Sequence, residues 1–387
     1  MKRNKRYVWK LVVIAVLALA LMIPAGCGKS VADTIKIGQI VTSLTGDAAM
    51  YGDFQKNAAQ MAADEINAAG GINGKKIEIT ALDDQAKPNV ALSAMQKLVS
   101  ETKPLVVLGP DWSGNTLAAM PVAQQNKIPQ ICSSKSGKIT HDNDPYIFRV
   151  VATGPFVGQA LVNAAYAKGF RKMAVFYTNT DYGVSGGAGA KAAIEALGLK
   201  PVAYETCNVG DNDFTAQMMR IKNSGADVII DYSIQVEGAK SLRQMREMGI
   251  NIPVYGGDAF ITPDFAKLVG NDKMEGIIAG SAFIASSTEP AVQEFVTKYK
   301  AKYGVVPEDH AAPYYDAVKI LAQVIGKVGP DSEKITQELK TLSGFKGVQG
   351  DYTADKWGNL VHNVMMAKFT NGGWVYINTI KDLKDHD

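Results

Sequence analysis

Histidine and cysteine are scarce in this 387-residue chain, which holds four of the first and three of the second. His141, His310, His362 and His386 stand apart, and none has a partner at the spacing of a zinc site. Each reads as a surface or core residue, and no metal or other cofactor is expected. Cys132 and Cys207 fall in segments that read as different lobes, where a bridge would lock the lobes together, so both are expected as free thiols. After the first apolar run, no stretch is long enough to span a membrane. A net basic excess is missing from the body of the chain. Residues 1–26 carry five positive charges and no acids, so without them the formal net charge of +3 becomes −2. That balance gives no electrostatic case for nucleic acid.

What the chain does have at its start is an address. Lys2, Arg3, Lys5, Arg6 and Lys10 precede the unbroken apolar run from Leu11 to Ile23, and Pro24, Ala25, Gly26 and Cys27 follow. A basic region, an apolar stretch of about 7–15 residues and small residues at a cleavage point make an export signal. The run is too short for a spanning helix, which needs about 20 residues. Ala25-Gly26-Cys27 resembles the end of a bacterial lipobox, which implies cleavage before Cys27 and acylation of that cysteine. Pro24 stands where the box usually carries leucine. Residues 27–33 then read as a lipid-anchored tether. The remaining length suits two domains, because single cores stop growing at roughly 250–300 residues.

From there strand and helix signals alternate. The patterning predicts strands over 35–41, 77–82, 104–108, 128–132 and 146–151, with helices between them. The alternation restarts with strands over 172–177, 202–207, 227–231, 253–256 and 276–283. Helices over 290–303, 311–328 and 332–342 follow. A hairpin around Asn371-Gly372 ends the chain. Strict βα alternation implies parallel sheets covered by helices on both faces, here as two doubly wound α/β lobes. In such sheets ligands bind beyond the carboxyl ends of the strands. That rule selects the loops 43–46, 109–113, 132–136, 178–183, 231–235 (with Tyr232) and 257–260, which are rich in hydroxyls and aromatics and hold no histidine.

Three motifs suggest chemistry and do not survive their context. Gly28-Lys29-Ser30 echoes a P-loop but lacks its first glycine and a preceding strand. Gly187-Ala188-Gly189-Ala190-Lys191-Ala192 loosely fits a dinucleotide fingerprint but falls inside a predicted helix. Gly183-Val184-Ser185-Gly186-Gly187 matches a nucleophile elbow, yet Thr178 to Tyr182 intervene after the strand, so Ser185 reads as a helix-start residue rather than a hydrolase nucleophile. Two other residues are better placed. Ser113 precedes an apolar helical pattern, where an N-cap would help to receive a carboxylate. Asp258 follows a strand, where an acid could meet an ammonium.

The chain also carries Leu44-Thr45-Gly46, Tyr51-Gly52, Ala63-Asp64-Glu65-Ile66-Asn67, Gly70-Gly71-Ile72-Asn73-Gly74 and Asp83-Asp84. Asp181-Tyr182-Gly183, Gly210-Asp211-Asn212-Asp213-Phe214 and Tyr315-Asp316-Ala317 come later. In this order they resemble the branched-chain amino-acid-binding proteins, type I periplasmic binding proteins that deliver ligand to ABC importers. The resemblance runs from about Ile35 to Ile377. It implies two α/β lobes joined by three crossings, with 34–152 and 282–347 in the first and 153–281 and 348–380 in the second. It also implies a monomer that acts with permease and ATPase subunits, and no catalysis. Laid on this sequence, the resemblance assigns the ligand carboxylate to Ser113 and to the segment Ser133, Ser134, Lys135. Tyr182 and Asp258 come from the second lobe, Asp258 for the ammonium. Tyr51 falls near the cleft mouth, and Trp112 adds an aromatic beside the carboxylate site. Lys135 replaces a hydroxyl, so either it meets the carboxylate or it points out and Ser134 or Ser136 takes the role. Asp258 is one methylene shorter than the family's glutamate. An amino acid is the expected ligand; an amide, urea or an aromatic carboxylate, or a ligand-sensing role, are the alternatives.

Overall fold

The computed structural model describes residues 34–45, 49–141, 144–361 and 363–381. The export signal, Cys27 and its tether, Gly46, His362 and His386 lie outside the described residues. Strands β1 (Ile35–Val41), β2 (Ile77–Asp83), β3 (Val106–Leu108), β4 (Gln130–Cys132) and β5 (Ile147–Arg149) form a sheet in the order β2-β1-β3-β4-β5. Every pairing is parallel. Val106, Val107 and Leu108 are wholly buried, as expected of a parallel strand covered on both faces. On one side Phe54, Ala58, Met61 and Ala62 of the helix Ala49–Ala68 pack with Val318, Leu321 and Ile325 of the helix Ala312–Val328. Their spacing in each helix is that of a single apolar stripe.

The second sheet has seven strands. β6 (Met173–Thr178), β7 (Ala203–Cys207), β8 (Val228–Tyr232), β9 (Val254–Gly256) and β10 (Ile278–Ser281) are parallel. Two short strands, β11 (Phe345–Gly347) and β12 (Gly350–Tyr352), form a separate hairpin. β13 (Val364–Thr370) and β14 (Gly373–Ile380) then return to the second sheet as its antiparallel edge, giving β14-β13-β10-β9-β8-β6-β7. Asn371 and Gly372 both have positive φ, which the predicted two-residue hairpin turn requires.

In each sheet the strand order reverses at one point, between β1 and β3 in the first and between β6 and β8 in the second. Loops at such a point diverge and leave a crevice. Cys132 ends β4 and Cys207 ends β7, so the two buried thiols belong to different sheets and are free.

The segment after Gly347 bonds to residues of the first sheet and of the helix Ala312–Val328. Asp316 accepts from the Val348 N–H (2.9 Å), the Gln349 N–H (3.1 Å) and the Tyr352 hydroxyl (2.7 Å). The Leu360 N–H donates to the Arg149 carbonyl at 2.9 Å. Those bonds hold the chain against the first lobe through Leu360. The β11–β12 hairpin in this segment is too short to announce itself by periodicity.

Candidate ligand-binding cleft

The site begins with a glycine. Gly109 has φ +84°, and a Cβ there would stand 2.2 Å from the Ile40 carbonyl oxygen, so only glycine lets the chain turn off β3 this closely. Asp111, Trp112 and the helix Ser113–Gln125 follow at once. Ser113 is the first helical residue, not its cap: Trp112 holds the cap position and makes no side-chain cap bond. The Ser113 hydroxyl oxygen instead accepts from the Ser136 N–H at 3.1 Å, stapling the loop after β3 to the loop after β4. Its own proton stays available to a ligand. Ser134 turns away, bonding Thr116 and the backbone at Pro110 and Asp111. Lys135 points inward and lines the cavity.

The second lobe supplies the opposite wall. The Thr180 hydroxyl oxygen caps the helix Asp181–Ala196 by accepting from the Gly183 N–H at 3.1 Å, so Ser185 lies inside the helix rather than at its start. The Ser185 Oγ accepts from the Gly137 N–H at 2.9 Å, a structural contact with the other lobe. Glycine at 186 is a matter of space: a Cβ there would stand 2.1 Å from the Tyr232 ring. Tyr232 in turn supports Tyr182, with ring centroids 4.6 Å apart. Held this way, the Tyr182 hydroxyl donates to Asp258 Oδ1 at 2.9 Å. Asp258 opens the single 3₁₀ turn Asp258–Ile261 that follows β9.

Across the gap, Lys135 Nζ lies 2.6 Å from Asp258 Oδ2 and 3.5 Å from Asp309 Oδ2. Lys135 and Asp258 are 7% and 5% exposed, so this is a buried ion pair with one partner from each lobe. Burial alone would lower the Lys135 pKa, but Asp258, Asp309 and Asp111 outweigh it and hold it well above the ordinary lysine value. Burial and the neighbouring Asp258 charge push the Tyr182 hydroxyl well above its usual value, so it is a donor at any physiological pH.

A second cluster adjoins the first. His310 Nε2 is 3.3 Å from Asp111 Oδ2, and its Nδ1 lies 2.8 Å from Glu308 and 3.1 Å from Asp309. Burial opposes a charge on His310, yet Glu308, Asp309 and Asp111 raise its pKa well above the histidine norm and keep the ring an imidazolium. Burial also opposes ionisation of Asp111 and Asp309, and in both His310 and Lys135 override it and lower the pKa. Glu308 goes the other way: burial lifts it to about 7 against the pull of His310.

Together these groups surround a cavity of about 450 Å³, within the range of small-molecule sites. Of the residues singled out from sequence, Trp112, Ser113, Ser133, Lys135, Tyr182 and Asp258 line it. Three do not. Ser134 is turned into the first lobe, Tyr232 lies behind Tyr182, and Tyr51 packs behind His310 with ring centroids 4.8 Å apart. Two charged lining residues are not among those singled out: Asp111, although it sits in the selected loop 109–113, and His310, which lies outside every selected loop. His310 is neither a surface nor a plain core residue. The run Glu308-Asp309-His310 directly before a buried apolar helix was the available signal, because charges at that position are buried at a cost unless paired.

A profile of the periplasmic binding protein family matches residues 34–373. The leucine-, isoleucine-, valine-, threonine- and alanine-binding protein of Pseudomonas aeruginosa is 29% identical over 335 residues, covering 85% of this chain and 88% of the relative. The Leu/Ile/Val-binding protein homolog 1 of Brucella abortus is 30% identical over 348 residues, covering 88% and 91%. Among solved structures, the branched-chain amino acid transporter substrate-binding protein LivJ of Streptococcus pneumoniae, in complex with isoleucine, superposes with a TM-score of 0.81. It is 32% identical, and the match covers 90% of this chain and 100% of that one. The two-lobed chain described above belongs to the periplasmic binding protein family, whose members bind solutes outside the cytoplasm rather than catalyse a reaction.

Proposed function

We propose that this protein captures a small amino acid between its lobes and delivers it to the permease and ATPase subunits of an ABC importer. The observation that carries the reading is the Lys135–Asp258 pair, which presents one buried charge of each sign to a single cavity. An amino acid zwitterion has the same two charges. The Lys135 ammonium has three protons; one goes to Asp258, and Asp309 lies 3.5 Å away as an ion-pair contact rather than a hydrogen bond, so donor capacity remains for a ligand carboxylate. The Ser113 hydroxyl, and backbone groups at Ser133, complete the carboxylate site. Asp258 is not free for the ammonium as the resemblance implied, because Lys135 and Tyr182 already engage it. A carboxylate has about four lone-pair sites, so a ligand ammonium shares Asp258 with them. Relatives named for leucine, isoleucine, valine, threonine and alanine support an amino acid as the cargo.

Because Ser113 and Lys135 belong to one lobe and Tyr182 and Asp258 to the other, the full set of contacts forms only when the lobes are together. Ligand then favours the closed form by its differential affinity for it. Ser113→Ala is expected to weaken binding of the cognate amino acid at least tenfold in a calorimetric titration, the effect of losing one hydrogen bond to a charged group. Unchanged affinity would place the carboxylate elsewhere.

The export signal at residues 1–26 and acylation of Cys27 belong to the same proposal. A lipid there would confine the protein near its transporter and raise its effective concentration, and stable anchoring takes more than one acyl chain. The mass of the mature N-terminal peptide is expected to show a cysteine carrying acyl groups. An unmodified Cys27 would reduce the segment to a plain export signal.

A further inference from the structure

The wall of the cavity changes character with depth. At the mouth stand Trp112, Pro88 and Val209, which are exposed; Val209 keeps 63% of its surface in water. The buried end of the wall, its floor, holds Asp111 and His310, each 7% exposed, together with Ser113, Ser133, Lys135 and Asp258, which are no more exposed. With Ser113, Lys135 and Asp258 given to the zwitterion, the side chain of a bound amino acid meets Asp111 and His310. Asp111 Oδ1 accepts from the Ser133 hydroxyl and Oδ2 faces His310 Nε2 at 3.3 Å. Each oxygen keeps a second lone pair. An aliphatic group pressed onto this floor would remove water from a buried carboxylate and return no hydrogen bond. A side chain with a donor of its own replaces that water. The discrimination is asymmetric: a site built to bond a hydroxyl rejects the analogue without one far better than an apolar pocket rejects a hydroxyl.

We propose that the floor reads a hydrogen-bond donor on the ligand side chain, with Asp111 as the specificity-determining acceptor, so that the cleft prefers threonine to valine and asparagine to leucine. This inference rests on the amino-acid reading above and deepens it. Threonine and valine have nearly the same shape, so their comparison isolates the hydroxyl.

The test is calorimetric titration of the purified protein with L-threonine, L-valine, L-asparagine and L-leucine, followed by the same titrations of Asp111→Leu and Asp111→Asn. Threonine is expected to bind at least tenfold more tightly than valine to the wild-type protein. Asp111→Leu is expected to abolish or reverse that preference, and Asp111→Asn, which keeps the shape and an acceptor oxygen, to retain part of it. Valine binding as tightly as threonine to the wild-type protein would overturn the inference while leaving the amino-acid reading intact. Binding of none of the twenty amino acids would instead remove the reading beneath it. The wild-type comparison stands even if Asp111→Leu fails to fold.

Discussion

Lys135→Met is expected to cost the protein about 3–5 kcal/mol of unfolding free energy, the usual penalty for removing one member of a buried ion pair. Methionine fills similar volume and restores apolar packing, so the loss isolates charge rather than a cavity. What remains in the variant is Asp258 and Asp309, at 5% and 3% exposure, with their cation gone. Tyr182 still donates to Asp258, and His310 still faces Asp309, but neither supplies the missing charge at Asp258. Adding Asp258→Asn to Lys135→Met is expected to recover a large part of the loss, because the amide no longer needs a counter-ion. Urea denaturation of the wild type, both single variants and the double variant closes the cycle. Additive effects would mean that the two charges do not depend on each other across the cleft.

Asp231→Asn is expected to stabilise the protein at pH 8 and to change little at pH 4. Asp231 is the next-to-last residue of β8, is 4% exposed and accepts from the Ser233 N–H at 3.0 Å. Burial raises its pKa from the ordinary aspartate range to about 7, only partly offset by Ser233. Between those values the folded chain holds a proton that the unfolded chain has lost. The neutral carboxyl's advantage is therefore fully present below about pH 4 and disappears as pH rises through 7. A rise from the ordinary aspartate range to about 7 corresponds to at most about 4 kcal/mol. Asparagine mimics the protonated acid at every pH. Thermal or urea unfolding of the two proteins at pH 4 and pH 8 checks the expectation, and a variant less stable than wild type at pH 8 would contradict it.

Much of the fold was legible because parallel strands and their covering helices leave distinct periods in sequence. Val106-Val107-Leu108 is apolar on both faces, and the stripe Phe54, Ala58, Met61, Ala62 repeats at helical spacing. Turn chemistry marked the last hairpin through Asn371-Gly372. Where the reading slipped, tertiary contacts overrode a local rule. Ser113 has the residue type of a cap, but its hydroxyl finds a better-placed partner in the neighbouring loop. Ser185 reads as a helix start in sequence because the earlier turn of that helix, Asp181 to Val184, carries no apolar stripe. The β11–β12 hairpin comprises two three-residue strands, below the length at which periodicity speaks.

The cleft was half legible for a similar reason. Loops after strands are predictable positions, and they supplied Ser113, Ser133, Lys135, Tyr182 and Asp258. Asp111 and His310 reach the same cavity from a loop and from a segment before a helix, and only the packed structure brings their Oδ2 and Nε2 atoms to 3.3 Å. Their pairing also explains how a histidine without a sequence neighbour of metal-site spacing comes to line the cavity.

The most direct measurement is a calorimetric titration of residues 28–387 with each of the twenty amino acids. Saturable one-to-one binding of at least one small amino acid is expected, with its affinity reduced by Ser113→Ala. No heat from any of the twenty would contradict a cleft built around a zwitterion.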